Sequence, residues 1–413
     1  MSKKEDNSRL KRVIGLPGAV MLGLGSIIGS GVFVSLGIGV DIAGPMVLPA
    51  IAVAGLVALC NGMSSAQLAA NHPVSGGTYE YGHRWLNPTL GFVAGWMFLC
   101  AKSASAATAA LGFALYVMPE NTLPLALGLT AAITGLTLTG LKRSNAFNTV
   151  IVALVLLSLV IFIAAGAPSL AQHPERLDPL FDSQRLPDLL QATALMFVAY
   201  TGYGRIATMG EEVREPRRTI PRAMIITLVA SLLLYIAVAA VCLGNTTNSF
   251  ESLANLAINF DGSNLSKCLT ITAIIAMISV LLNLMLGLSR VVLAMGRRGD
   301  LPKITADVHG STGVPISATL VVGALIAGLI SLGDFKITWS FSAFTVLVYY
   351  ALTNLCAIRL KQEERLYPVW ISYVGLVTCL SLAFFVEWRI IVAGLILVAV
   401  GLAWKALFYR FTN

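Results

Sequence analysis

An all-α polytopic membrane protein of twelve transmembrane helices, arranged as a five-plus-five inverted repeat with discontinuous helices 1 and 6, is the fold this sequence predicts. Three observations lead there. Hydrophobic residues make up 57% of the chain and charged residues 12%, whereas about a quarter of a soluble domain is charged, and the mean hydropathy is +0.81. Apolar stretches of the roughly 20 residues needed to cross a hydrocarbon core recur along the whole length. The first and sixth of these stretches are interrupted by glycine at their middles.

The apolar stretches lie at about 13–38, 45–70, 89–118, 123–140, 146–167, 188–209, 222–244, 267–295, 314–333, 337–358, 368–386 and 388–408. An even number of spans brings both termini to one side. Of the 28 lysines and arginines, 20 fall in the tails and loops of that side and 5 on the other (Arg176, Arg185, Lys267, Lys336 and Arg389); Lys102, Arg205 and Arg290 lie within spans. Cytoplasmic loops are the ones enriched in Lys and Arg, so both termini are expected in the cytoplasm. The net charge of +8 is thereby explained by topology, and nucleic-acid binding is set aside. The polar start, MSKKEDNSRLKR, precedes an apolar run too long, and too free of a small-residue cleavage site, for a secretory leader. The first span is therefore expected to persist in the mature protein. Loops at about 168–187 and 245–266 are too short to be domains, so residues 1–413 are expected to form a single transmembrane domain. Its first repeat covers about 13–167, its second about 188–358, and helices 11 and 12 about 368–408.

Side chains that carry out chemistry are scarce. Cys60, Cys100, Cys242, Cys268, Cys356 and Cys379 lie in or at the ends of spans without metal-ligand spacing and read as small apolar fillers. His72, His83, His173 and His309 all fall in loops and form no HExxH-type arrangement. No metal, cofactor or catalytic constellation is expected, and an intramembrane enzyme is excluded on the same grounds.

The first interruption is GLGSIIGSGVF, from Gly23 to Phe33. Glycine in a helix interior costs about 1 kcal/mol relative to alanine, so the cluster asks for a reason. The second is AYTGYGR, from Ala199 to Arg205, five spans later. Glycine-interrupted segments at matching positions of two halves mark the unwound helices of transporters built from inverted repeats. Backbone groups freed at mid-membrane need a polar ligand or a water-filled cavity. The N–H end of a half-helix suits a carboxylate, and free carbonyls suit an ammonium. Together they describe a site for a zwitterionic amino acid. Close helix packing is the competing explanation for such glycines; two clusters at repeat-related positions favour binding.

Four segments resemble the amino acid–polyamine–organocation superfamily of transporters: GSIIGSGVF in span 1, SGGTYEYGHRWLNPTLGFVAGW from Ser75 to Trp96, GEEVREPRRTIPRA from Gly210 to Ala223, and AMGRRGDLP from Ala294 to Pro302. The resemblance covers nearly the whole chain, and the third segment is its most specific. It implies a twelve-span fold working by alternating access. It also implies a central site in which the span 1 backbone at Gly29, Ser30 and Gly31 holds the substrate carboxylate. The carbonyls of Ile27, Val198 and Thr201, with Gly202 in the span 6 break, would hold the amino group.

Charged residues inside spans are costly and functional by default. Lys102 lies 13 residues into span 3, about 20 Å from its end at 1.5 Å per residue, and no Asp or Glu lies mid-span to pair with it. It is the candidate coupling charge, against a structural prop bonded to the unwound backbone. Arg205 follows the span 6 break and is a candidate for a gate with Glu211 or Glu212, or for contact with a substrate charge. Family members that select cationic substrates carry an acid at the position of Gly204; its replacement here disfavours a cationic side chain. Arg290, six residues from the end of span 8, reads as structural or as a gate partner. The family's span 5 lysine, present in some proton-coupled members, is matched by Val155. Span 8 offers only Ser279 and Ser289, ten residues apart, so a sodium site is not supported.

The expected function is a secondary active transporter, a permease or exchanger moving neutral or acidic amino acids. Its partners are the small-molecule substrate and the lipid bilayer, and its location is the plasma (inner) membrane. An amino-acid sensor of the same fold is the alternative; sensors add an extended cytosolic tail, and the tails here are short.

Overall fold

A computed structural model of the chain describes residues 14–74, 76–140, 145–208, 212–245, 252–261, 263–308 and 314–412, with the side chains of 145–147, 259–261 and 408–412 excepted. Glu211 and His309 lie outside the described residues. Among those described there is no β-strand, and the chain is almost entirely helical.

The α-helices in chain order are α1 (Leu16–Ile27), α2 (Leu36–Ala43), α3 (Val47–Asn71), α4 (Thr78–Trp85), α5 (Pro88–Val117), α6 (Thr122–Leu138), α7 (Asn145–Gln172), α8 (Leu186–Tyr200), α9 (Gly204–Thr208), α10 (Pro216–Asn245), α11 (Leu253–Asp261), α12 (Ser263–Arg298), α13 (Ile316–Ile330), α14 (Phe335–Ile358), α15 (Val369–Ala383) and α16 (Trp388–Thr412). Eight helical runs among the described residues are long and apolar enough to cross a membrane, one of them the 56-residue run Leu16–Asn71 that contains α1, α2 and α3. The helices α13 and α15 are apolar but only 15 residues long. This is a multi-pass integral membrane protein.

Burial separates centre from rim. In α5 and α14, 72% of the apolar window is buried, against 17% in α16. The centre is made by small side chains: Ala101, Ala104, Ala106, Ala107, Ala109 and Ala110 of α5 are fully buried, which lets backbones approach closely where lipid gives no hydrophobic drive to association. Paired hydroxyls then join α5 to α14, Ser105 to Ser342 and Thr108 to Thr338, each at 2.8 Å. At the rim, Leu233, Ile271, Val377 and Ile396 of four helices point outward and are more than half exposed, as lipid-facing residues must.

The two interrupted stretches are tied at one end. Ile14, just before α1, donates its N–H to the Glu212 carbonyl at 3.0 Å and accepts from the Arg214 N–H at 2.8 Å, forming a parallel bridge with Val213. Beside this tie lies α4, whose amphipathic face packs Tyr79 and Tyr81 inward. Gly77, with φ of 56°, turns the chain into α4 in a conformation that L side chains rarely adopt.

Candidate functional site

Both glycine-rich stretches lose regular helix where the sequence predicts. The helix α1 ends at Ile27; Ile28 is extended (φ −84°, ψ 101°), and a wide turn of π-helix from Gly31 to Ser35 leads into α2. The helix α8 ends at Tyr200, a single 3-10 turn covers Thr201–Tyr203, and α9 begins at Gly204. The interruptions face each other. A side-chain carbon added at Gly202 would overlap the Ser26 carbonyl and lie 2.7 Å from the Ile27 nitrogen, so only glycine lets these backbones meet.

Packing also explains the span 1 glycines. Carbon added at Gly23 would meet Ile206 and Thr227, at Gly25 Val152 and Asn148, at Gly29 Val280, and at Gly31 the Tyr235 hydroxyl. Each glycine turns toward a different neighbour, so close approach and backbone release are served by the same residues. Tyr235 of α10 spans both interruptions: its hydroxyl lies 3.0 Å from the Ile27 carbonyl and 3.2 Å from that of Ala199. One O–H cannot donate fully to both, and the pair shares it.

Next to the interruptions lies a cavity of about 120 Å³. It is lined by Ser26, Thr201 and Gly202 from the breaks, with Lys102 and Phe98 of α5 and Tyr350 of α14. Gly204, Arg205 and Thr208 of α9, a stripe of α12 that includes Val280, Asn283, Gly287 and Arg290, and Gly76 at the entry to α4 complete the lining.

Lys102 is 92% buried (8% exposed) and reaches across to the span 6 turn, where its Nζ donates to Thr201 Oγ1 at 2.8 Å. Thr201 Oγ1 in turn donates to the Val198 carbonyl at 2.7 Å, and the Thr201 carbonyl accepts from the Tyr350 hydroxyl at 3.3 Å. Among the described residues no carboxylate forms an ion pair with Lys102. A buried ammonium with a hydroxyl partner and a cavity beside it can hold an anion or exchange a proton with water or substrate.

Of the residues that sequence reasoning nominated, Lys102, Thr201, Gly202 and Arg205 border the cavity. Ile27, Gly29, Ser30, Gly31 and Val198 stand immediately behind its wall and are not among the described residues that line it. The three carbonyls expected to receive an ammonium already have donors: Tyr235 on Ile27, Thr201 on Val198, Tyr350 on Thr201. Each keeps a second lone pair. Glu212 sits at the tie to Ile14. Arg290 lines the cavity, a placement not anticipated from its distance to the helix end. Asn283 was missed altogether; its position three to four residues from Val280 and Gly287, and seven from Arg290, is a polar stripe at helical spacing that an inspection of span 8 for hydroxyls alone passes over.

Two of the resemblance segments meet at α4. Tyr79 donates to Asp300 Oδ2 at 2.7 Å, Glu80 pairs with Arg298, and both His83 Nε2 and Lys405 Nζ stand 3.6 Å from Asp300. This cluster fastens α4 to the end of α12 and to α16. Burial pulls the pKa of His83 below the ordinary imidazole value, against the smaller opposing pull of its bond to the Tyr79 carbonyl and of Asp300. Among the described residues no group of His, Cys, Asp and Glu could hold a metal ion, and none of the six cysteines forms a disulfide.

A multi-pass helical membrane protein with two interrupted helices meeting at a central cavity is, by architecture, of the transporter class. The chain belongs to the amino acid permease family, whose profile matches residues 18–410. It is 41% identical over 399 residues to an uncharacterised transporter of Mycobacterium tuberculosis, covering 95% of this chain and 90% of the relative. It is 28% identical to a branched-chain amino acid permease of Bacillus subtilis (97% and 94% covered), and 27% identical to a methylthioribose transporter of the same organism (92% and 88% covered).

Proposed function

We propose that this permease is a secondary active transporter that moves neutral or acidic amino acids by alternating access. In this reading the chain crosses the membrane twelve times, as one domain of two inverted repeats, about 13–167 and 188–358, followed by two further helices. Both termini lie in the cytoplasm of a cell whose plasma (inner) membrane holds the protein. The observation that carries the reading is the meeting of the two helix interruptions, Ser26–Ile28 against Gly202, beside a cavity bordered by Lys102 and Thr201. Ser30 and Gly31 begin a new helical segment, whose first N–H groups have no intrahelical acceptor, and they supply the carboxylate position. The carbonyls of Ile27, Val198 and Thr201 supply the ammonium position through their remaining lone pairs.

Lys102 is the coupling charge of this mechanism. Its bond to Thr201 links α5 to the span 6 turn, so a change in its protonation alters the contact that holds the turn. Arg205 serves either a gate with Glu211 or Glu212 or contact with a substrate charge. The absence of any acidic residue among the described lining residues disfavours a cationic substrate, and the branched-chain specificity in the name of the Bacillus subtilis relative favours an amino acid substrate over a sugar derivative.

Uptake into proteoliposomes, combined with thermal stabilisation of the purified protein by each of the twenty amino acids, tests the reading. Ligands that bind the folded state raise its apparent stability by mass action. Saturable uptake of a neutral or acidic amino acid is expected, and uptake should respond to a proton gradient and not to sodium. If none of the twenty stabilises the protein or is transported, the proposal fails.

A further inference from the structure

We propose that Asn283, Arg205 and Arg290 form a subsite for the second carboxylate of a dicarboxylic amino acid. The inference rests on the amino-acid transport reading and narrows it to acidic substrates.

Asn283, Gly287 and Arg290 follow one another along α12 at spacings of four and three residues, and all three border the cavity. Those spacings align them on one face of the helix. Gly287 leaves a gap in the stripe, and the guanidinium of Arg205 from α9 occupies it: carbon added at Gly287 would lie 3.1 Å from Arg205 Nη1. Two arginines from different helices and one amide thus converge on a single wall. Lys102 borders the same cavity, and none of the described lining residues is acidic.

Asn283 gives the second, independent indication. Its side chain is 92% buried (8% exposed), and its Nδ2 has no hydrogen-bond partner. A buried N–H₂ without an acceptor is unfavourable, and a ligand oxygen in the cavity that Asn283 lines would supply one. Cationic side chains inside a membrane protein are likewise retained where an anion, a carbonyl or water answers them. A carboxylate satisfies both conditions. One oxygen accepts from Asn283 Nδ2, and the other faces the guanidinium groups, whose planar forks suit carboxylates.

The geometry fits an amino acid held by its backbone groups at the span 1 and span 6 breaks. Val280 packs on Gly29 at the level of the break, and Asn283 is three residues further toward the C-terminal end of α12, about 4.5 Å at helical rise. That displacement is the scale of a short acidic side chain. An aliphatic side chain in the same place would leave the amide unsatisfied and face two arginines, and sites with unpaired buried polar groups reject such analogues strongly.

The test is equilibrium binding and proteoliposome uptake with glutamate, aspartate, glutamine, leucine and alanine. Glutamate or aspartate is expected to bind at least about tenfold more tightly than glutamine or leucine, a discrimination within the range of charge-assisted hydrogen bonds. Asn283→Asp, which keeps the shape and adds a repelling charge, should erase that preference; Arg290→Gln should weaken the acidic ligand about tenfold and reduce its salt sensitivity. If leucine or alanine is bound and transported while the acidic pair is not, the subsite is wrong and amino-acid transport stands. If acidic ligands bind but both variants keep wild-type preference, the assignment of these residues is wrong. If no amino acid binds, the transport reading falls with it.

Discussion

Lys102 donates a 2.8 Å hydrogen bond to Thr201, joining the buried centre of α5 to the turn that interrupts the sixth span. The bond gives a 92% buried cation a hydroxyl partner on the turn, so the two residues should act as a unit. Lys102→Gln, which keeps length and polarity without charge, is expected to lower transport about tenfold or more and to flatten its pH dependence; a tenfold loss corresponds to about 1.4 kcal/mol. Thr201→Val removes the acceptor and keeps the charge, so it should reduce the rate while leaving a pH dependence with a displaced midpoint. Uptake measured from pH 5.5 to 8.5 separates the two. Normal rate and normal pH profile in Lys102→Gln would remove it from the mechanism.

Gly202 and Gly204 flank the same turn but meet different surroundings. Carbon added at Gly202 strikes the backbone of Ser26 and Ile27, while at Gly204 it comes only to 3.0 Å of the Tyr350 hydroxyl. Backbone cannot step aside as a side chain can. Gly202→Ala should therefore cost stability at the upper end of the roughly 1–3 kcal/mol of overpacked sites, with transport lost even where the protein still folds. Gly204→Ala should cost less, since only the Tyr350 hydroxyl, bonded to the Thr201 carbonyl, has to shift. Thermal unfolding of both variants in detergent makes the comparison, and equal midpoints would mean that the two breaks do not touch.

Tyr235 holds the carbonyls of Ile27 and Ala199 with one hydroxyl. Tyr235→Phe keeps the ring that packs against Tyr200 and removes only that hydroxyl. Hydrogen bonds between membrane helices average about 0.6 kcal/mol, so the stability loss should be small, about 1 kcal/mol or less. The functional loss should exceed it, because the carbonyl geometry of both breaks depends on the same group. A transport defect no larger than the loss of folded protein would argue that the tyrosine is purely structural.

The breaks, the buried lysine and the membrane class were legible because each violates a local rule: glycine inside a helix, charge inside hydrocarbon, apolar runs of crossing length. The cavity wall was less so. Arg290 lies near the end of a span, and on one helix alone a long side chain near the end reads as reaching for water; only the folded structure shows it lining the same cavity as Arg205. Asn283 breaks no rule strongly enough to be noticed, since amides in membrane helices commonly bond across helices. The glycines illustrate the opposite difficulty. Close packing and backbone release predict the same residues, and the neighbours of Gly23, Gly25, Gly29 and Gly31 required three dimensions to see.

The cluster around α4 provides a pH prediction at histidines outside the membrane-spanning helices. His83 is held next to Asp300 at 3.6 Å, with Arg298, Lys405, Glu80 and Tyr79 around it, and burial is the largest influence on it, lowering its pKa from 6.5. His72, which accepts from Arg84 at 2.7 Å, is lowered for the same first reason. In each case the unfolded chain takes up its proton at a higher pH than the folded one. Stability from these histidines is therefore complete above about pH 6.5 and declines as pH falls from there through the lower folded value, because in that interval the unfolded state binds more protons. His83→Gln retains a donor for the Tyr79 carbonyl and cannot titrate, so the decline in unfolding temperature between pH 7.5 and pH 5.5 should shrink, and His72→Gln combined with it should shrink it further. Asp300→Asn supplies the control: it weakens the anchoring of α4 at every pH, lowering the unfolding temperature without flattening its pH dependence. If the double histidine variant loses as much stability on acidification as the parent, the acid sensitivity of this protein resides elsewhere than in the α4 cluster.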